Sequence, residues 1–194
     1  MNGPDPGARV IAVSVGGIRT IDADGRKVRT GIFKAPVTGR VAVGTLGLEG
    51  DRQADQRVHG GERKAVYAYP AEHYEFWRRE LPGIDLPHGM FGENLTIEGV
   101  LESQVRPGDR FRAGTAELTV TGPRLPCFKL AAKFGRRDMI ARFMRSGRTG
   151  FYFAVDRQGE VGAGDLLERI APAASGPTIA EIVQDRAARS RPSS

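Results

Sequence analysis

The one cysteine of this chain, Cys127, lies in Gly-Pro-Arg-Leu-Pro-Cys-Phe-Lys-Leu, residues 122–130. A thiol does its chemistry as the thiolate. The thiolate is favoured beside cations and at a helix start, where backbone N–H groups point outward. Arg124 stands three residues before the sulfur and Lys129 two after it. Pro123 and Pro126 stiffen the approach, and Phe128 to Phe134 reads as a helix. Such a segment suits an activated nucleophile or a metal-binding thiolate. It suits a buried, inert cysteine as well, packed as a small hydrophobe.

Other segments carry residues able to do chemistry. His59-Gly60-Gly61 closes a long loop, and glycines beside a histidine let a ligand approach the backbone. The plain alternative is a turn with a surface histidine. Lys34 ends Thr30-Gly31-Ile32-Phe33-Lys34, where it suits a phosphate or carboxylate, or simply a solvated strand end. Glu93 and Asn94 stand at a strand start. An amide there holds a heterocycle or satisfies turn backbone. Asp51, in Gly50-Asp51-Arg52, suits a cap on backbone donors within the loop. The soft metal ligands are His59, His73, His88 and Cys127. None has the paired spacing of a zinc site, so zinc is not expected.

These residues need a scaffold. A chain of 194 residues makes one domain with a real core. Apolar content of 40% and charged content of 27% fit a soluble globular protein. The 26 glycines and 12 prolines call for many turns, hence a β-rich fold. No apolar run approaches the ~20 residues of a spanning helix, so no membrane partner is expected. The N-terminus lacks the apolar centre of a signal peptide, and one cysteine makes no internal disulfide; a cytoplasmic location is expected. The net charge of +6 is dispersed. Its densest region, Arg136 to Arg148, is interrupted by Asp138 and lacks interleaved aromatics. Nucleic acid is therefore not expected as the main partner, whereas a small anion fits.

The apolar pattern predicts strands at 9–15, 28–34, 40–43, 64–69, 93–97, 117–121, 150–155 and 165–170, and Gln104 to Phe111 holds a turn at Pro107-Gly108-Asp109. Asp24-Gly25 and Asp156 to Gly159 read as turns, and Gly44 to Gly61 as a long loop. Helices are predicted at 71–80, with Pro70 near its first position and Tyr74, Trp77 and Leu81 inward, and at 138–145, stopped by Gly147. The expected division is a disordered lead at 1–8, a domain at 9–171, then a linker, a short helix and a frayed tail at 172–194. In that helix, 178–188, Ile179, Ile182 and Val183 should face inward. About eight or nine short strands with a few helices suggest a mainly β, α+β fold: a closed or nearly closed β-barrel with helices at its mouth.

In order, Gly31-Ile32-Phe33-Lys34, Gly47-Leu48-Glu49-Gly50-Asp51, His59-Gly60-Gly61, Phe91-Gly92-Glu93-Asn94-Leu95 and Pro123-Arg124-Leu125-Pro126-Cys127-Phe128-Lys129-Leu130 resemble the MOSC domain family, named for the C-terminal domain of molybdenum cofactor sulfurases. The likeness covers about residues 9 to 170 and is greatest to the stand-alone YiiM type. It implies a barrel holding molybdenum on molybdopterin, with Cys127 as a metal ligand. Soft thiolate suits that metal. By the same resemblance Lys34, Arg57, Arg124, Lys129 and Asn94 become cofactor-binding candidates, and His59 a catalytic one beside Cys127. The implied activity is reduction of N-hydroxylated compounds, such as hydroxylaminopurines, by oxygen-atom transfer. No flavin, haem or iron–sulfur motif is present, so the electrons are expected from a separate reductase. An oligomer is compatible with these features. The alternative is a sulfur-carrier or cofactor-handling module bearing a Cys127 persulfide. A third reading is a non-catalytic anion-binding barrel. The chain departs from the family pattern at Glu62-Arg63 after His-Gly-Gly, at Leu125, and in its short C-terminal region.

Overall fold

The computed structural model describes residues 7–23, 25–54 and 60–189. Along the chain run β1 (Arg9–Val15), β2 (Arg19–Ala23), β3 (Arg26–Thr30), β4 (Ala35–Val37), β5 (Val41–Gly44) and β6 (Gly47–Leu48). Next come β7 (Val66–Pro70), α1 (Glu72–Glu80), β8 (Leu95–Glu98), β9 (Arg110–Ala113) and β10 (Ala116–Pro123). The remainder is α2 (Phe128–Phe134), α3 (Met139–Ser146), β11 (Phe151–Arg157), β12 (Gly159–Val161), β13 (Leu167–Ala171) and α4 (Ile179–Arg189).

Eight strands form the main sheet in the order β13-β9-β10-β11-β7-β8-β1-β4. Its pairs are antiparallel except β7 with β8, which run parallel. A parallel pair needs a crossover, and α1 supplies it. A three-stranded sheet, β12-β5-β6, and the β2–β3 hairpin complete the set. Among the described residues the fold is thus mainly β with four α-helices.

Of the expected closed or nearly closed barrel, full closure is not seen. Among the described residues no ladder joins the two ends of the main sheet. β1, the strand next to the β4 edge, meets the chain just before β13 at an isolated bridge, Arg9 to Leu166, with the Val10 N–H donating to the Asp165 carbonyl at 2.9 Å. Two more backbone bonds flank it: the Gly164 N–H donates to the Val10 carbonyl at 2.8 Å, and the Leu167 N–H to the Ala8 carbonyl at 2.8 Å. In the turn before β13, Asp165 Oδ2 accepts from the Gly162 N–H at 2.9 Å.

Two apolar clusters hold the layers. One lies on the sheet and includes Val10, Val66, Ile97, Phe111, Leu118, Phe151 and Phe153. The other joins α1, α2 and α3 to β7 through Tyr69, Trp77, Phe91, Leu130 and Phe143. The predicted inward face of α1 is correct: Tyr74, Trp77 and Leu81 are buried. Pro70, however, ends β7 rather than opening the helix. β12 occupies part of the predicted turn, because its three residues pair with β5.

At the C-terminal end, Thr178 and Glu181 cap α4 reciprocally. The Glu181 N–H donates to Thr178 Oγ1 at 3.2 Å, and the Thr178 N–H to Glu181 Oε2 at 2.7 Å. Ile179 and Val183 are buried in the sheet cluster, and Ile182 packs at its margin. This fixes α4 against the body of the domain. No helix among the described residues is long and apolar enough to cross a membrane.

Candidate functional site

β10 delivers the cysteine segment. Its register shifts between Val120 and Gly122, and the strand then ends at Pro123. The Arg124 N–H still reaches the Gly150 carbonyl, at 3.3 Å. Gly150 is required where β10 and β11 converge. Its φ is +63°, and a Cβ there would stand 2.3 Å from the Ala68 carbonyl oxygen. Cys127 follows in extended conformation and occupies the N-cap position of α2. Its side chain is half-buried.

A cavity of about 100 Å³ opens beside this sulfur. Arg124, Cys127 and Lys129 line it from the β10–α2 segment, Lys34 and Asp51 from the early loops, and Tyr67 and Tyr152 from the sheet. Gly31 lets the early loops meet there. A Cβ on it would fall 2.1 Å from the Arg52 carbonyl oxygen.

The cations in this cavity differ in what they already hold. The Lys34 ammonium donates to both Asp51 carboxylate oxygens, and both side chains are buried. Asp51 also accepts from the Gly16 N–H at 3.0 Å and from Asn94 Nδ2 at 3.0 Å. Asp51 does accept from a backbone donor, but from Gly16 after β1 and not from its own loop, and its pairing with Lys34 is an addition. A solvated Lys34 is excluded. Burial pulls its ammonium below the ordinary lysine range, although Asp51 acts the other way. Lys129 is 7% exposed and Arg124 5%. The Arg124 guanidinium lies over the rings of Tyr67, at 5.6 Å, and Phe143, at 5.2 Å. Its Nη1 is buried and has no hydrogen-bond partner among the described residues. A buried unpaired guanidinium N–H is costly, so this atom is the clearest sign of an anionic ligand.

Asn94 also lines the cavity, but its amide is engaged within the protein. Its Oδ1 accepts from the Tyr67 N–H at 3.1 Å, and its Nδ2 donates to the Ser14 carbonyl at 3.3 Å as well as to Asp51. Of the two readings for this amide, backbone satisfaction is observed, and its candidacy for cofactor contact stays a proposal. Glu93 acts alike, accepting from the Gly89 N–H at 2.7 Å, the Phe91 N–H at 3.1 Å and Thr96 Oγ1 at 3.1 Å. Arg57 and His59 lie outside the described residues. Among the described residues no group of three or more His, Cys, Asp or Glu could hold a metal ion alone.

Sequence reasoning passed over Lys133. From α2 its ammonium donates to the Ile32 carbonyl at 2.9 Å and the Gly89 carbonyl at 2.7 Å, tying the helix to two loops behind the cavity. Only its position one turn after Lys129 hinted at this. Burial, assisted by the nearby Lys34, Arg124 and Arg19 charges, lowers its pKa from 10.5 to about 8. The sign for stability follows. Between about pH 8 and 10.5 the unfolded chain keeps this proton and the folded chain releases it, so raising the pH favours folding. Lys34 acts in the same direction. Burial raises the Tyr67 and Tyr69 hydroxyls above their usual value of 10.0, so stability falls again at higher pH. Urea midpoints are expected to rise from pH 8 to a maximum between about 9 and 10. Lys133→Met should flatten the rise. A midpoint falling steadily from pH 8 would contradict this assignment.

A second, wider cleft of about 860 Å³ adjoins the first. Lys64, Leu125, Cys127 and Tyr152 belong to the walls of both. Cys127 thus stands between a narrow cationic recess and an open cleft.

The comparisons agree with this geometry. A MOSC domain model matches residues 55–168. The chain is 43% identical over 170 residues to the uncharacterized protein YflK of Bacillus subtilis, spanning 88% of this chain and 76% of that one. A protein of Gibberella moniliformis named a reductase is 34% identical over 189 residues, which are 94% of this chain and 33% of that longer one. The crystal structure of YiiM from Geobacillus stearothermophilus superposes with a TM-score of 0.77 at 35% identity, covering 92% of this chain and 83% of that one. With more than half of its length matched and the cysteine segment set on the same fold, the chain belongs to the MOSC domain family and is similar to its YiiM members.

Proposed function

We propose that this protein is a reductase of N-hydroxylated compounds, such as hydroxylaminopurines, that works with molybdenum carried on molybdopterin. The observation that carries this reading is the buried, unpartnered Arg124 Nη1 in a cavity lined by Cys127. The Gibberella relative's name supports reductive chemistry.

The residues fit the cofactor's charge and metal, and its roughly 25 heavy atoms would need the adjoining cleft as well as the recess. It is anionic, and Arg124 and Lys129 offer it buried positive charge. Its metal arrives on its own organic carrier and needs few protein ligands, and the Cys127 thiolate is a suitable soft one. When bound, the cofactor supplies the two-electron chemistry. The protein supplies position and charge. Arg124 donates from Nη1 to the anion, while Tyr67 and Phe91 wall the recess against water. Lys34 is neutralised by Asp51 and fixes the loop that carries it. His59 keeps its candidacy beside the reacting group, and Arg57 its candidacy for the cofactor.

The reaction balances simply. The N–O bond breaks, and two electrons and two protons enter. The amine and one water leave. The electrons come from a separate electron-donating reductase. The test is turnover by cofactor-loaded protein with a chemical electron donor. Conversion of 6-hydroxylaminopurine to adenine is the expected result. Loaded protein that leaves every N-hydroxylated substrate intact would reject the reading.

A further inference from the structure

We propose that Glu102, held by His73, is a positioning residue for Arg124: its buried carboxylate fixes the backbone from which Arg124 and Tyr67 are hung. This rests on the reading of Arg124 as the partner of the cofactor's anion. Neither Glu102 nor His73 is among the lining residues of the recess or the cleft.

Both groups are enclosed. Glu102 lies between β8 and β9 and is 4% exposed, and His73 on α1 is 8% exposed. The Glu102 carbonyl accepts from the Ala180 N–H at 3.0 Å, so α4 anchors its backbone. His73 Nε2 stands 2.8 Å and 3.1 Å from the two carboxylate oxygens. Burial alone would raise the Glu102 carboxyl, but the bonds from His73 and from the Gly150 N–H hold it below its ordinary range. An ionised carboxylate only accepts, so His73 Nε2 carries the proton and donates. The imidazole is set edge-on to Tyr69, with ring centroids 5.5 Å apart.

The remaining bond reaches the site. Glu102 Oε1 accepts from the Gly150 N–H at 2.7 Å. The Gly150 carbonyl accepts from the Arg124 N–H at 3.3 Å. One residue earlier, the Thr149 carbonyl accepts from the Tyr67 hydroxyl at 2.7 Å. The Arg124 guanidinium lies over that same Tyr67 ring. Residues 149 and 150 therefore hold Arg124 twice, through its own backbone and through Tyr67. Gly150 is buried and has no side chain to fix it, so the bond to Glu102 selects its conformation. Without that acceptor the Gly150 N–H is stranded, and the segment must turn to find another partner.

The experiment follows hydrogen exchange at the Gly150 and Arg124 amides by NMR, together with metal and pterin content of protein made in a cofactor-producing host. Glu102→Ala is expected to speed exchange at both amides about tenfold or more and to cut the retained cofactor about tenfold. Glu102→Gln keeps an oxygen for the Gly150 N–H and should restore both. In the Glu102→Ala background, Arg124→Met should remove little more cofactor, because the arginine is already displaced. His73→Gln loosens the carboxylate without emptying its place, should act the same way by about threefold, and carries the test if Glu102→Ala does not fold. Wild-type exchange and content in these variants, or additive losses with Arg124→Met, overturn the proposal. Faster exchange at both amides in protein that never acquires pterin would keep the positioning pair and reject the cofactor reading.

Discussion

Cys127→Ala is expected to lose about 100-fold or more of the reduction rate while keeping its fold. Among the described lining residues the sulfur is the one soft donor, and it belongs to both cavity walls. No other described side chain in the recess replaces it as a metal ligand. Structurally the change is small. Cys127 is half-buried at an N-cap, without a side-chain cap bond, so truncation should cost about 1 kcal/mol or less. The two effects separate cleanly. Circular dichroism and a thermal melt report the fold, and single-turnover kinetics report the chemistry. A variant that keeps a large part of its activity would remove the cysteine from the reaction. One that unfolds would show instead that the thiol is structural.

The second large effect falls on stability. Asp51→Asn should destabilise the protein by about 3 kcal/mol, because it strands a buried ammonium. Lys34 is otherwise enclosed, and its partner is this carboxylate. The same carboxylate holds the Gly16 N–H and the Asn94 amide. An asparagine offers one acceptor oxygen to those donors and adds a competing N–H₂. The double variant Lys34→Met with Asp51→Asn removes the stranded charge and should recover part of the loss. Urea unfolding of the set decides it. A single-variant change below about 1 kcal/mol would mean that the pair is solvated or dispensable.

The readable parts of the site share a short stretch of sequence. Arg124, Cys127 and Lys129 lie within six residues, so local cation density and two prolines announced them. Asp51 and Lys34 are separated by 17 positions, and nothing in either segment specifies the partner. Burial of Lys34 depends on where the Gly31 crossing brings the Arg52 loop, a tertiary fact. Asn94 was legible as a strand-start amide, yet its choice between ligand and backbone depended on β1 and β7 lying alongside it. The α1 face was clear because Tyr74, Trp77 and Leu81 keep helical spacing and all find the aromatic cluster. Sheet closure was not. It depends on how β1 and the start of β13 approach each other in space, and strand patterns carry no such placement. Wall residues such as Tyr152 read as ordinary strand aromatics, since alternation marks a face and not a cavity.

The account stands or falls on whether the cationic recess and the cleft that meet at Cys127 together hold the molybdenum-bearing pterin. Metal and pterin content, measured on protein made in a host that synthesises the cofactor, tests this directly, with Arg124→Met beside the wild type. That substitution removes a buried N–H that lacks a partner, so the variant should stay folded. The wild type is expected to carry both components in equal amount, and the variant to lose about 90% of them, a tenfold weakening. Wild-type protein purified without metal or pterin, or a variant that retains its full load, would contradict it.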